Sequence, residues 1–204
     1  MKINPNRLLC IENLAVVIKG LVAECLPEPN MLMLNRKFSK LRVEILRRLP
    51  DGIRYGNPER VLIKFNFASQ PSEDDYKEVL NYYYECLPKY QLHQQTVQTV
   101  MVSSQCLSSQ TLEHFGYDNQ PYPGVHVCQN RRFAHLPLIS LDELALKPHN
   151  AWFKCFASQP TERKKAYEIL QQTNFGLIPM SLEPLLSKLA FQPDVKEISG
   201  QTEE

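Results

Sequence analysis

Helical and strand periodicities alternate along the chain. Residues 8–26, "LLCIENLAVVIKGLVAECL", predict an amphipathic helix that ends at "LPEPN", where two prolines forbid continuation. A second helix is expected over 34–49, because Leu34, Phe38, Leu41, Ile45 and Leu49 fall on one stripe, and Pro50 stops it. Two short strands should follow, at 51–56 and 60–67, joined through the turn signal "YGNPE". Pro71-Ser72-Glu73 opens a helix to about residue 87, with Tyr76, Val79, Leu80, Tyr83 and Leu87 inward. "VQTVMVSS" (97–104) is β-branched, apolar and free of breakers, the pattern of a strand. A short helix ending at Gly116 comes next, then the strand "GVHVCQ". Helices are expected near 150–157, 161–172 and 181–191, with Thr161 and Ser181 as N-caps of the last two. The tail from residue 192 has little to bury.

This order predicts an α/β protein with a mixed sheet flanked by helices and extra helices at the C-terminal end. One domain is expected over 1–191, followed by a flexible tail over 192–204.

Charge changes this picture little, since the formal net of +1 argues neither for nor against nucleic acid, membrane or acidic substrate. No apolar run reaches the roughly 20 residues that span a bilayer, and no cleavage site follows the first helix, so a cytoplasmic chain without a membrane partner is expected. The six cysteines show no C-x-x-C pair and sit in apolar settings; they read as reduced, buried thiols. The five histidines lack ligand spacing and read as structural.

The densest chemistry lies in "PDGIRYGNPERVLIKFNF", residues 50–67. A Pro-Asp-Gly corner leads to a strand whose apolar positions Val61, Ile63, Phe65 and Phe67 share one face, leaving Lys64 and Asn66 on the other. The corner, the strand and the flanking helices resemble the PD-(D/E)XK nuclease superfamily, and more narrowly its transposase-associated, recombination-promoting branch. The resemblance covers about 34–130 and implies a restriction-endonuclease-like α-β-β-(β)-α-β core. It also implies that Asp51 is the first metal-binding acid of a Mg²⁺-dependent phosphodiester hydrolase. In such a site two carboxylates hold the cation and a lysine serves the attacking water.

Here Lys64 stands in place of the second acid and Asn66 in place of the lysine. An ammonium about 4 Å from a divalent ion is repelled by roughly 8 kcal/mol at an effective dielectric near 20. Glu44, on the preceding helix, is the accessory acid that remains, although an ion pair with Lys40 or Arg48 is the simpler account of it.

A basic cluster precedes the corner: in "RKFSKLRVEILRR", Arg36, Lys40 and Arg47 share the face opposite the apolar stripe, a pattern that fits phosphate contacts and a merely solvated helix face alike. "RKK" at 163–165 is a weaker patch that reads as plain solvation.

The expected function is therefore a catalytically degenerate nuclease-like pseudoenzyme that binds DNA or a protein partner, with no cofactor. One alternative is an active Mg²⁺-dependent nuclease using Asp51, Glu44 and a relocated lysine. Another is a protein-interaction module or homodimer with no nucleic-acid role.

Overall fold

The computed structural model describes residues 31–33, 49–54, 62–68, 71–89, 97–128, 136–172 and 183–192. Among these a six-stranded mixed sheet is flanked by helices, an α/β architecture. Its strands are β1 (Met31–Met33), β2 (Leu62–Ala68), β3 (Val97–Ser103), β4 (Tyr117–Tyr122), β5 (Val125–Cys128) and β6 (Leu138–Ser140). Their spatial order is β1-β2-β3-β6-β5-β4. β2, β3 and β6 run parallel, and the outer strands pair antiparallel. A parallel neighbour requires a crossover, which α2 (Glu73–Lys89) supplies between β2 and β3.

α2 begins where the sequence places it. The Ser72 hydroxyl accepts from the Asp75 N–H, and the Asp75 carboxylate accepts from the Ser72 N–H at 2.8 Å, closing a capping box. α3 (Ser109–His114) is capped by the Ser108 hydroxyl and ends at Gly116, whose φ of 74° is the left-handed conformation expected of a C-terminal glycine.

Three expectations are corrected. Residues 51–54 form one helical turn, α1 (Asp51–Arg54), and not a strand. Thr161 is not an N-cap, because α5 (Pro160–Gln172) already starts at Pro160. A proline suits the first turn, and the Asp142 carboxylate accepts from the Gln159 N–H just ahead of it. Arg163 does not belong to a solvated patch, since its side chain is completely buried. The sequence pattern also missed β4, whose "YDNQPY" is too polar to signal a strand, and the three-residue strands β1 and β6. The expected helix over 8–26, all but the last residue of the one over 34–49, the "YGNPE" turn, the Ser181 cap and the tail beyond Gln192 lie outside the described residues.

Both sheet faces are covered, as parallel strands demand. On one face Val100, Val102, Val125 and Ile139 pack against Leu49, Ile53 and the helices α4 (Pro148–Lys154), α5 and α6 (Glu183–Ala190). On the other, Met101 and Leu138 pack against Tyr76 and Val79 of α2, with Phe115 and Tyr117. Alternation along β3 and β6 sends neighbouring residues to opposite cores.

Buried charge ties the helical layer together. The Lys154 ammonium donates to the Leu141 and Asp142 carbonyls and pairs with Glu162 at 2.9 Å. The Arg163 guanidinium donates to the Leu189, Ala157, Ser158 and Gln192 carbonyls at 2.6–3.0 Å.

Candidate functional site

Pro50 and Gly52 bracket Asp51 in a turn that lies against the sheet. A Cβ on Gly52 would sit 2.5 Å from Ile139, so only glycine lets the corner approach this closely. Asp51 is consequently buried, and its carboxylate faces the segment that opens α4. There the Lys147 ammonium lies 3.1 Å from Oδ2, Asn150 Nδ2 donates to Oδ2 at 3.0 Å, and His149 Nε2 lies 2.8 Å from Oδ1. A carboxylate only accepts, so the His149 Nε2 carries the proton in this contact.

Asn150 is itself wholly buried and returns the bond: its Oδ1 accepts from the Asp51 N–H at 3.0 Å, while Nδ2 also donates to the Ala145 carbonyl. Burial would push the Asp51 carboxyl up. The hydrogen bonds from Asn150, His149 and Lys147 outweigh it and hold the group below the usual carboxylate range. The half-exposed Lys147 also stands 5.5 Å from the ring of Tyr122.

The other motif positions are described only by their place on the strand: Lys64 is in register with Thr99 and Asn66 with Met101. Leu49 and Ile53, the neighbours of the Asp51 corner, pack into the core on the side of the sheet that carries Val100 and Val102. Glu44, Arg36, Lys40 and Arg47 lie outside the described residues. A Mg²⁺ site wants several free oxygen donors, whereas Asp51 is surrounded by an ammonium, an imidazole N–H and an amide NH₂. These groups do not fit the cation. Among the described residues no group of three or more His, Cys, Asp and Glu side chains could hold a metal.

Sequence reasoning missed the partners of Asp51, because "LKPHNAWFK" reads as an ordinary helix start. The available signal was Asn150, a polar residue directly before the apolar Ala151-Trp152-Phe153. Three histidines do have partners: His149 as above, His126 on Glu143 and His114 on Glu73.

A second polar cluster lies at the carboxyl ends of β3 and β6. Ser103 and Ser140 both donate to the Gln105 carbonyl and pin the loop that carries Cys106. The Cys106 thiol donates to Glu143 Oε1 at 3.0 Å, and the buried His126 donates from Nε2 to Oε2 at 2.9 Å. Cys106 is exposed, a correction to the expectation of buried thiols; Cys128 and Cys155 are buried. The hydrogen bond to Glu143, then burial, push the Cys106 thiol up to about 11. Cys106 should therefore carry roughly a hundredfold less thiolate at neutral pH than an ordinary cysteine. Alkylation of Cys106 followed by peptide mass mapping should be slow at pH 7 and accelerate steeply as pH rises toward 11. Glu143→Gln should accelerate it at neutral pH. Fast labelling of the wild type would contradict the thiol–carboxylate bond.

Compared with known proteins, the chain matches no family model, no curated protein and no solved structure.

Proposed function

We propose that the chain is a PD-(D/E)XK-like protein with a restriction-endonuclease-like core, whose metal site has decayed and which is retained for binding DNA. One observation carries the loss of chemistry: both oxygens of Asp51, the one motif acid in place, are engaged by Lys147, His149 and Asn150. The sequence itself supports the same reading, since Lys64 and Asn66 stand where the resemblance expects the second acid and the lysine. The parallel β2–α2–β3 crossover is compatible with such a core. DNA is favoured as the partner because Arg36, Lys40 and Arg47 precede the corner on one predicted helix face.

The test is incubation with single- and double-stranded DNA and Mg²⁺ or Mn²⁺, beside an Asp51→Ala control, followed by a salt titration of binding. The expected result is no cleavage, with binding that weakens steeply as salt rises. Cleavage that disappears in the control would instead support the active-nuclease alternative. No binding at low salt would leave the protein-partner reading.

A further inference from the structure

We propose that Cys106, Glu143 and His126 form a second reactive site, in which the Cys106 thiol takes an acyl group from a thioester and Glu143 carries its proton. The proposal is independent of the DNA-binding reading and of the corner around Asp51.

The sheet brings the three together where its order changes direction. β3 and β6 are parallel neighbours. The chain leaving β3 passes to the face of α2, where Leu107 and Phe115 are buried with Tyr76. The chain leaving β6 passes to the opposite face, where Leu141, Leu144 and Ala151 join the other core. Open α/β sheets hold their ligands at such a divergence, outside the carboxyl ends of the strands. Cys106 lies three residues past the end of β3, and Glu143 three past the end of β6. β5 runs antiparallel to β6, so His126, near its start, reaches the same end.

There the groups stand as a nucleophile, a base and a group that orients the base. Cys106 is exposed, and its thiol donates to Glu143 Oε1 at 3.0 Å. The buried His126 holds the other oxygen from Nε2 at 2.9 Å and leaves Oε1 to the thiol. Ser103 holds both the N–H and the carbonyl of Gln105, beside the nucleophile, and Ser140 holds that carbonyl again. The pair is thus fixed before a substrate arrives.

Sγ bonds to the carbonyl carbon of the thioester as its proton passes to Glu143 Oε1. The carbon–sulfur bond of the substrate breaks, and the departing thiolate takes that proton from Glu143. Water then attacks the new thioester at Cys106 and gives its proton to Glu143, which returns it to Sγ as the carboxylic acid leaves. The cycle consumes only the thioester and water. Electrostatics select this substrate class. Burial would push the Glu143 carboxyl up, but hydrogen bonds from Cys106 and His126 outweigh it and hold the group below the usual carboxylate range. The hydrogen bond to Glu143, then burial, push the thiol up to about 11. Removing the thiol proton is uphill for so weak a base. The cost is recovered when the leaving group is itself a thiol, of ordinary pKa about 8.5, and not when it is a far more basic amine or alkoxide.

The experiment incubates the full chain with S-acetyl-N-acetylcysteamine at neutral pH. Thiol release is followed by chromatography, and acetylation of each cysteine by peptide mass mapping. Wild type should turn over and carry the acetyl group on Cys106, not on Cys128 or Cys155, and Cys106→Ser should lose turnover. Glu143→Gln should lower kcat at least about a hundredfold, although the same substitution accelerates alkylation, a reaction that returns no proton. His126 is a positioning residue. His126→Gln, which keeps an N–H at similar reach, should retain more of kcat than His126→Leu, with KM unchanged in both. Turnover in Glu143→Gln equal to or above wild type would overturn the proposal, since the thiol would then act through its thiolate alone. Absence of acetyl-Cys106 in the wild type, or turnover that survives Cys106→Ser, would overturn it equally. Cys106→Ser changes one atom of an exposed side chain, so the test stands even if a Glu143 or His126 variant fails to fold.

Discussion

Replacing Arg163 by methionine should lower the free energy of unfolding by about 3–5 kcal/mol. The guanidinium is fully buried and reaches four carbonyls from two separate places, Ala157 and Ser158 after α4, and Leu189 and Gln192 at the end of α6. Methionine fills much of the volume but leaves those carbonyls without their donor, and an unsatisfied buried acceptor costs about 1–3 kcal/mol. Arg163→Lys should recover only part of the loss. One ammonium retains the charge but cannot spread donors over both helix ends as a planar fork does. Equilibrium denaturation gives the comparison directly. A methionine variant within about 1 kcal/mol of wild type would mean that Arg163 holds the two ends less tightly than its geometry implies.

Gly124→Ala should be of similar severity for a different reason. Gly124 links β4 to β5 with φ of 73°, where an L-residue loses roughly 1–2 kcal/mol. A Cβ would also lie 2.5 Å from the Leu144 nitrogen and 2.6 Å from the Ser140 carbonyl oxygen, and neither backbone atom can rotate aside. The overlap adds about 1–3 kcal/mol. The expected total is about 3 kcal/mol or more, seen as a fall in the thermal midpoint of roughly 6–12 °C. An unchanged midpoint would show that the turn can shift away from Leu144. Gly116→Ala isolates the strain, because the nearest contact of a Cβ there is the Cys128 sulfur at 3.3 Å.

What the sequence disclosed follows from how local each signal is. α2, β3 and α3 were legible because their apolar periods, caps and terminal glycine lie within the elements themselves. β2 was legible for the same reason. β4 was hidden, since Asp118, Asn119, Gln120 and Pro121 are poor strand formers made into a strand by pairing with β5. α1 was misjudged because the Pro-Asp-Gly corner supports either a turn into a strand or one turn of helix, and Asn150 decides between them. The candidate site shows the same division. Asp51 is conspicuous in its own stretch, but the groups that determine its chemistry come from residues 147–150, and no spacing rule reaches that far. Arg163 was misread for the converse reason: "ERKK" is locally a charged helix face, and only the packing of α6 encloses it.

The position of β6 has a consequence for how the chain is made. Among the described strands this three-residue one is fourth in space and last in sequence, inserted between β3 and β5. Before residues 138–140 are made, β3 and β5 each lack that neighbour, and an unpaired strand edge is the kind that recruits other chains. Pairing of Leu138–Ser140 covers both edges at once. Protection from aggregation during synthesis should therefore depend on how quickly that segment follows β5.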